Sequence, residues 1–179
     1  MKAAIKRLEN GSIALLPLDV AHASEYIRLA NEQTIAEAVN NPLPYERHHF
    51  DGLREQISKN PRLFVWMIAS DGIICGAINS SAMRSPQVFQ GGYWLEPQFR
   101  GNGIGAKAQM LVRNFLVNEC NAIRIQALVE PSNLPSIRVL EQCDFIHEGL
   151  LRRSYPTLRR GLIDVRMYAY IAQENDGTL

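Results

Sequence analysis

Three glycines at alternate positions, Gly101, Gly103 and Gly105, lie between Arg100 and Lys107 in the run WLEPQFRGNGIGAKAQ. Residues without Cβ let a backbone approach a ligand closely, so successive N–H groups can converge on an anion such as a pyrophosphate. A helix starting just after them adds positive potential, and Arg100 and Lys107 add charge within reach. Three registers compete. A Walker A loop counted from Gly101 puts Ala106 at its sixth position, then Lys107-Ala108, without the hydroxyl that holds magnesium. Gly101-x-Gly103-x-x-Ala106 formally fits a dinucleotide fingerprint, but EPQFR separates it from a strand that closes an all-strand meander. Arg100-x-x-Gly103-x-Gly105, running straight into an amphipathic helix, fits an anion cradle. A tight strand-to-helix turn that holds nothing explains the same glycines.

Periodicity sets the elements that must position this loop. Residues 12–18 read as a strand ended by Pro17, and Asp19 is placed to cap a helix running to about residue 31. NNPLPYERHH is a loop, and residues 46–59 form a helix with Phe50, Leu53 and Ile57 on one face. Residues 63–69 and 73–79 form a hairpin around Asp71-Gly72, and residues 88–95 are the next strand. From Ile104 the period becomes helical, with Ala108, Leu111, Val112, Phe115 and Leu116 sharing one face. A strand at 123–129 leads to a short helix, with Asn133 as its cap and Pro135 in its first turn. FIHEGLLRR begins another strand, and residues 162–171 form the last. The order predicts one mixed α/β (α+β) domain over residues 1–179, not a doubly wound sheet.

Bulk properties narrow the classes. Charges nearly cancel, with 19 Lys and Arg against 18 Asp and Glu, so a nucleic-acid partner has no electrostatic footprint. The local cluster Arg152, Arg153, Arg159 and Arg160 reads as a solvated or substrate-facing loop. Cys75, Cys120 and Cys143 have no C-x-x-C spacing, which argues for small buried thiols in a reducing, cytoplasmic compartment. MKAAIKRLENGS lacks the apolar core of a signal peptide, and no apolar stretch approaches a membrane span. The polar tail of about eight residues is expected to fray.

GGYWLEPQFRGNGIGAKAQ, VEPSNLPSIRVLEQCDFIHEGLLRR and DVRMYAY together resemble the GNAT acetyltransferase superfamily, and within it the RimJ/RimL branch. That branch acetylates N-termini of ribosomal proteins, with relatives acting on other amines. The resemblance extends over nearly the whole chain. Its discriminating part is 92–168, where Asn133-x-x-Ser136, Val139-Leu140-Glu141 and the closing residues 164–168 follow the glycine motif. It implies the GNAT fold, with a mixed sheet of about seven strands. The strand ending at Leu95 would splay from residues 125–129, and pantetheine would pair with the backbone exposed in the gap. Backbone amides of Arg100, Gly101, Asn102, Gly103, Ile104, Gly105, Ala106 and Lys107 would bind the acetyl-CoA pyrophosphate, with Leu95 and Asn133 contacting the pantetheine. No metal is implied. The partners are acetyl-CoA and an amine acceptor, either a protein N-terminus or a small amine, and the chain would act as a monomer or homodimer. A non-catalytic acyl-CoA-binding module is the competing class.

Acetyl transfer needs a neutral amine, a stabilised oxyanion and a proton for the departing thiolate. An α-amine of pKa about 7.8 is roughly one-tenth neutral at pH 7, whereas a lysine near 10.4 is neutral at about a few parts in ten thousand. The match to Asn-x-x-Ser implies that Ser136 donates the proton, although a serine in a first helical turn also caps backbone. Relatives carry a carboxylate in the segment before the last strand, and here SYPTLRRGLI has none. Glu96 is the best-placed substitute and Glu130 the next, and a water relay needs neither. His48 and His49, in the region that shapes the acceptor site, read as surface residues. Asp144 replaces the glycine that usually caps the preceding helix, a position asking for left-handed backbone that aspartate tolerates.

Overall fold

Eight strands form one sheet in the order β1-β2-β3-β4-β5-β6-β8-β7 in the computed structural model, which describes residues 4–172. The elements are β1 (Leu8–Asn10), β2 (Ile13–Pro17), α1 (Ala23–Ala30), α2 (Gln33–Ala38), α3 (Arg47–Lys59), β3 (Leu63–Ser70) and β4 (Ile73–Ala82). They continue with β5 (Val88–Leu95), α4 (Ile104–Cys120), β6 (Arg124–Val129), α5 (Leu134–Gln142), β7 (Ile146–Thr157) and β8 (Gly161–Ile171). Strands β1 to β5 run antiparallel in sequence order, β5 and β6 pair in parallel, and β8 lies antiparallel between β6 and β7. This is the mixed α/β architecture expected, with one strand more than the approximate seven. The extra piece is β1, too short to show a period. The tail QENDGTL lies outside the described residues.

Both faces of the sheet are covered. Trp66 and Ile68 of β3 pack with Val112, Phe115 and Leu116 of α4 and with Ile137 and Leu140 of α5. Met67 of the same strand and Trp94 of β5 join Tyr26, Leu29, Ile35 and Phe50 from α1, α2 and α3 on the other face. Strands buried on both sides read as continuous apolar runs, as LFVWMIA does.

Asp19 caps as expected, accepting from the Ala21 N–H at 3.0 Å. The helix that follows is broken, however. Val20–His22 is a single 3-10 turn before α1, and the separate short helix α2 begins at Gln33. Glu32 starts that second helix by accepting the Ile35 N–H at 2.9 Å, a local capping bond without an apolar period. Asp144 is left-handed, with φ 62°, as its position demanded. Cys75 and Cys143 are buried, whereas Cys120 is only partly so and departs from the expected buried thiol. Among the described residues no helix is long and apolar enough to cross a membrane.

Candidate active site

The site begins where two strands part. β5 and β6 pair only through Val88–Arg124, Phe89–Ile125 and Gln90–Gln126, although β5 continues to Leu95 and β6 to Val129. On its other side β5 stays paired with β4 as far as Leu95, and the Glu96 N–H donates to the Cys75 carbonyl at 2.8 Å. In an antiparallel ladder the bonded pairs alternate, so Trp94 and Gly92 spend their backbone groups on β4. Those of Tyr93 and Leu95 face the gap. A strand edge of this kind accepts a further extended chain.

The glycine loop closes one end of the gap. Gly103 is the N-cap of α4 at φ 72°, a left-handed conformation that side chains resist. The first helical bond runs from the Lys107 N–H to the Gly103 carbonyl, which leaves the Ile104, Gly105 and Ala106 amides without helical partners. They form the positive end of a 17-residue helix. Gly105 answers to a different constraint. A Cβ there would stand 2.8 Å from a ring carbon of Tyr93 and 2.9 Å from its phenol oxygen. Arg100 does not reach into open space. Its Nε donates to the Leu95 carbonyl at 2.9 Å, and a terminal nitrogen donates to Thr34 Oγ1 at 2.8 Å, tying the loop to the end of β5 and to α2.

These elements enclose a cavity of about 590 Å³. Ser136 enters it from α5. The cap of that helix is Asn133, whose Oδ1 accepts the Ser136 N–H at 3.2 Å, so the asparagine does the capping. Ser136 is half-buried and lines the cavity with its hydroxyl not needed for the cap. Tyr93 lies beside it: burial pushes the phenol up, and its contact with Ser136 opposes that push. A smaller cavity, about 80 Å³, opens between α2 and the β7–β8 hairpin. Ala38 belongs to both walls.

The carboxylates stand at the edge. Glu96 accepts from Arg28 at 2.8 and 3.4 Å and from Gln98 at 3.1 Å, and its side chain is 14% exposed. The Arg28 guanidinium holds its carboxyl below the usual range. Glu96 is not among the residues lining the larger cavity. Glu130 lines the smaller one, where Arg160 grips it at 2.7 and 2.8 Å and likewise lowers it. His49 Nδ1 accepts the Glu46 N–H at 2.9 Å, which makes it part of the start of α3. His48 is exposed. Among the described residues, no three His, Cys, Asp or Glu side chains gather as metal ligands.

Residues 12–146 match the acetyltransferase (GNAT) domain family. The chain belongs to the GNAT acetyltransferase family. It is thus an acetyl-CoA-dependent acetyltransferase. It is 29% identical over 161 residues to the probable N-acetyltransferase YjcK of Bacillus subtilis, covering 82% of this chain and 87% of that one. It is 37% identical over 86 residues to the uncharacterized N-acetyltransferase p20 of Bacillus licheniformis, about half of each chain at 48%. In fold it is similar to RimL, the ribosomal L7/L12 α-N-protein acetyltransferase, in complex with coenzyme A, with TM-score 0.82, 20% identity, and coverage of 93% of this chain and 98% of that one. Mycobacterium smegmatis RimJ in complex with a CoA-disulfide gives TM-score 0.79 at 23% identity, over 99% and 91%.

Of the residues expected to serve acetyl-CoA in this GNAT domain, Leu95, Arg100, Gly101, Gly103, Ile104, Gly105, Asn133 and Ser136 line the larger cavity. Asn102 and Lys107 are exposed at the rim, and Ala106 is buried behind it. Three side chains were not singled out in advance. Tyr93 had a signal, because strand alternation puts it on the same face as Leu95. Thr34 and Arg28 had none, since their partners are 66 and 68 residues away.

Proposed function

We propose that this GNAT enzyme moves the acetyl group of acetyl-CoA directly onto a primary amine, with the N-terminal α-amine of a protein or peptide as the acceptor. The observation that carries the reading is the parting of β5 from β6 after Gln90, which turns the backbone of Tyr93 and the N–H of Leu95 toward a cavity that Ser136 enters. Pantetheine fits as the missing strand, and the free amides at the head of α4 suit the pyrophosphate of acetyl-CoA.

The steps balance as follows. The neutral amine attacks the thioester carbon and forms the C–N bond. The C–S bond then breaks, and the Ser136 hydroxyl gives its proton to the sulfur. The nitrogen loses its surplus proton through water to solvent, with Glu96 at the edge of the site as the candidate acceptor, and Ser136 recovers a proton from solvent. No enzyme-bound acyl intermediate is needed. Glu96, ionised by Arg28, is a weak base for a protonated lysine but adequate for an α-amine that is already partly neutral.

The acceptor preference rests on that chemistry and on the fold shared with RimL and RimJ. Arg152, Arg153, Arg159 and Arg160 of the β7–β8 hairpin would repel a cationic acceptor, but less than their number suggests. Arg160 is neutralised by Glu130, and Arg159 donates to the Ala36 and Asn41 carbonyls at 3.4 and 3.1 Å. Arg152 and Arg153 remain exposed. An acceptor screen read by free-CoA release tests the proposal, with peptides bearing free N-termini, their N-blocked lysine-containing counterparts, and polyamines in parallel. Free N-termini should turn over fastest. Preferred turnover of a polyamine or another small amine overturns the acceptor assignment. Binding of acetyl-CoA without turnover of any amine favours the non-catalytic module.

A further inference from the structure

We infer that Thr34 is a positioning residue for the acceptor, because its bond to Arg100 ties α2, a wall of the acceptor's path, to the loop that takes the pyrophosphate; this rests on the reading of the chain as an amine acetyltransferase. The smaller cavity opens beside the gap that the cofactor fills on that reading. Its walls are Leu128 of β6, Val165 of β8, and Glu37 and Ala38 at the end of α2. Ala38 also lines the larger cavity, and so do Thr34 and Ile35. An amine that comes through the smaller cavity therefore meets the cofactor along α2, and the placement of α2 sets the room it has.

α2 depends on its neighbours for that placement. It has six residues, fewer than two turns, and a helix so short is not stable alone. Its two ends are anchored to different elements. Beyond its C-terminus, Asn40 Oδ1 accepts the Leu158 N–H at 2.5 Å, and Arg159 donates to the Asn41 carbonyl at 3.1 Å, both from the turn of the β7–β8 hairpin. Near its N-terminus, Thr34 Oγ1 accepts from a terminal nitrogen of Arg100 at 2.8 Å and donates to Glu32 Oε2 at 2.6 Å. The threonine hydroxyl is thus oriented from both sides. Arg100 is fixed in turn by its Nε bond to the Leu95 carbonyl at 2.9 Å. A guanidinium carries five N–H groups, and these two bonds use two of them. The others are left for a phosphate oxygen, so a bound pyrophosphate braces the tie without displacing Thr34.

The test compares Thr34→Val, which keeps the branched shape and loses the hydroxyl, with Thr34→Ser, which retains it. The KM of the amine is measured at saturating acetyl-CoA, with whichever acceptor turns over best, alongside kcat, the Kd for acetyl-CoA and melting temperature. Thr34→Val should raise the KM of the amine about 5-fold and leave the other three near wild type. Thr34→Ser should return that KM to near the wild-type value. Arg100→Lys cannot hold both partners, and in that background Thr34→Val should have no further effect on the KM of the amine. This cycle separates the bond to Arg100 from the bond to Glu32. An unchanged KM in Thr34→Val overturns the proposal, as does a Thr34→Ser variant that fails to restore it. Losses that multiply in the Arg100→Lys background overturn it too. A rise in the Kd for acetyl-CoA that accounts for the whole effect makes Thr34 a cofactor contact and also overturns it. If a polyamine turns over best, the α-amine reading fails while Thr34 is judged by the KM of that polyamine. If no amine turns over, there is no acceptor for α2 to position, and both readings fall.

Discussion

At the scale of single residues, the proposed proton donor and the proposed base differ in environment. Ser136 is uncharged, half-buried and relieved of capping duty by Asn133. Ser136→Ala should lower kcat by about 100-fold while acetyl-CoA binding persists, as seen by comparing CoA release with ligand titration. Glu96 is held as a carboxylate by Arg28, so it does not titrate in the neutral range. In the proposed mechanism, the activity limb near neutrality therefore belongs to the acceptor. With an α-amine substrate, kcat/KM should climb with pH and level off above about pH 8, whereas a lysine acceptor would keep it climbing toward about pH 10. Glu96→Gln should reduce the plateau without moving that limb. A limb that shifts in Glu96→Gln would assign it to the enzyme instead. The same lowered carboxyl contributes stability that is present above the ordinary carboxylate range and is lost as pH falls through its depressed value.

At the scale of elements, the head of α4 makes two distinct demands on glycine. Gly103 is needed for its left-handed backbone, and an alanine there should cost about 1–2 kcal/mol in urea unfolding. Gly105 is needed for space, and an alanine meets the Tyr93 ring. Gly105→Ala should destabilise by about 1–3 kcal/mol, and much of that loss should disappear when Tyr93 is also truncated. Additive losses would show that the backbone, not the ring, resists the methyl group. The start of α5 depends on one cap. Asn133→Ala should cost about 1 kcal/mol and lower kcat as well, because the residue that ends the loop also sets where Ser136 sits.

At the scale of the whole molecule, the two faces of the sheet serve different ends. α4 and α5 cover the face from which Ser136 and the glycine loop reach the gap, and α1 to α3 cover the other. Because acetyl-CoA would bind only the folded chain, a concentration 100 times its Kd should add about 2.7 kcal/mol, or roughly 5–10 °C in melting temperature. NAD(P) should leave the transition in place, and a shift with it would revive the dinucleotide reading of Gly101-x-Gly103-x-x-Ala106. Phe115→Ala, under the sheet at Phe64 and Trp66, should cost about 3–5 kcal/mol because nothing can collapse into the space.

Most of the elements were legible because their signals are local. LFVWMIA, the Asp71-Gly72 turn, the apolar face of α4, the Asn133 cap and the left-handed Asp144 each depend on neighbours a few residues away. The split at His22, the short α2 and β1 were not legible, because they lack a long enough period. The glycine register, the Asn-x-x-Ser spacing and the family likeness were also readable from order alone. What order could not decide is which groups meet. Arg28 reaches Glu96 across 68 residues, Arg160 neutralises Glu130 across 30, and Tyr93 fills the space over Gly105. Those pairings set which carboxylates are ionised, how much positive charge an acceptor meets and why one glycine must be a glycine. Ionisation and packing depend on distance in space, and only the folded sheet brings these side chains within it.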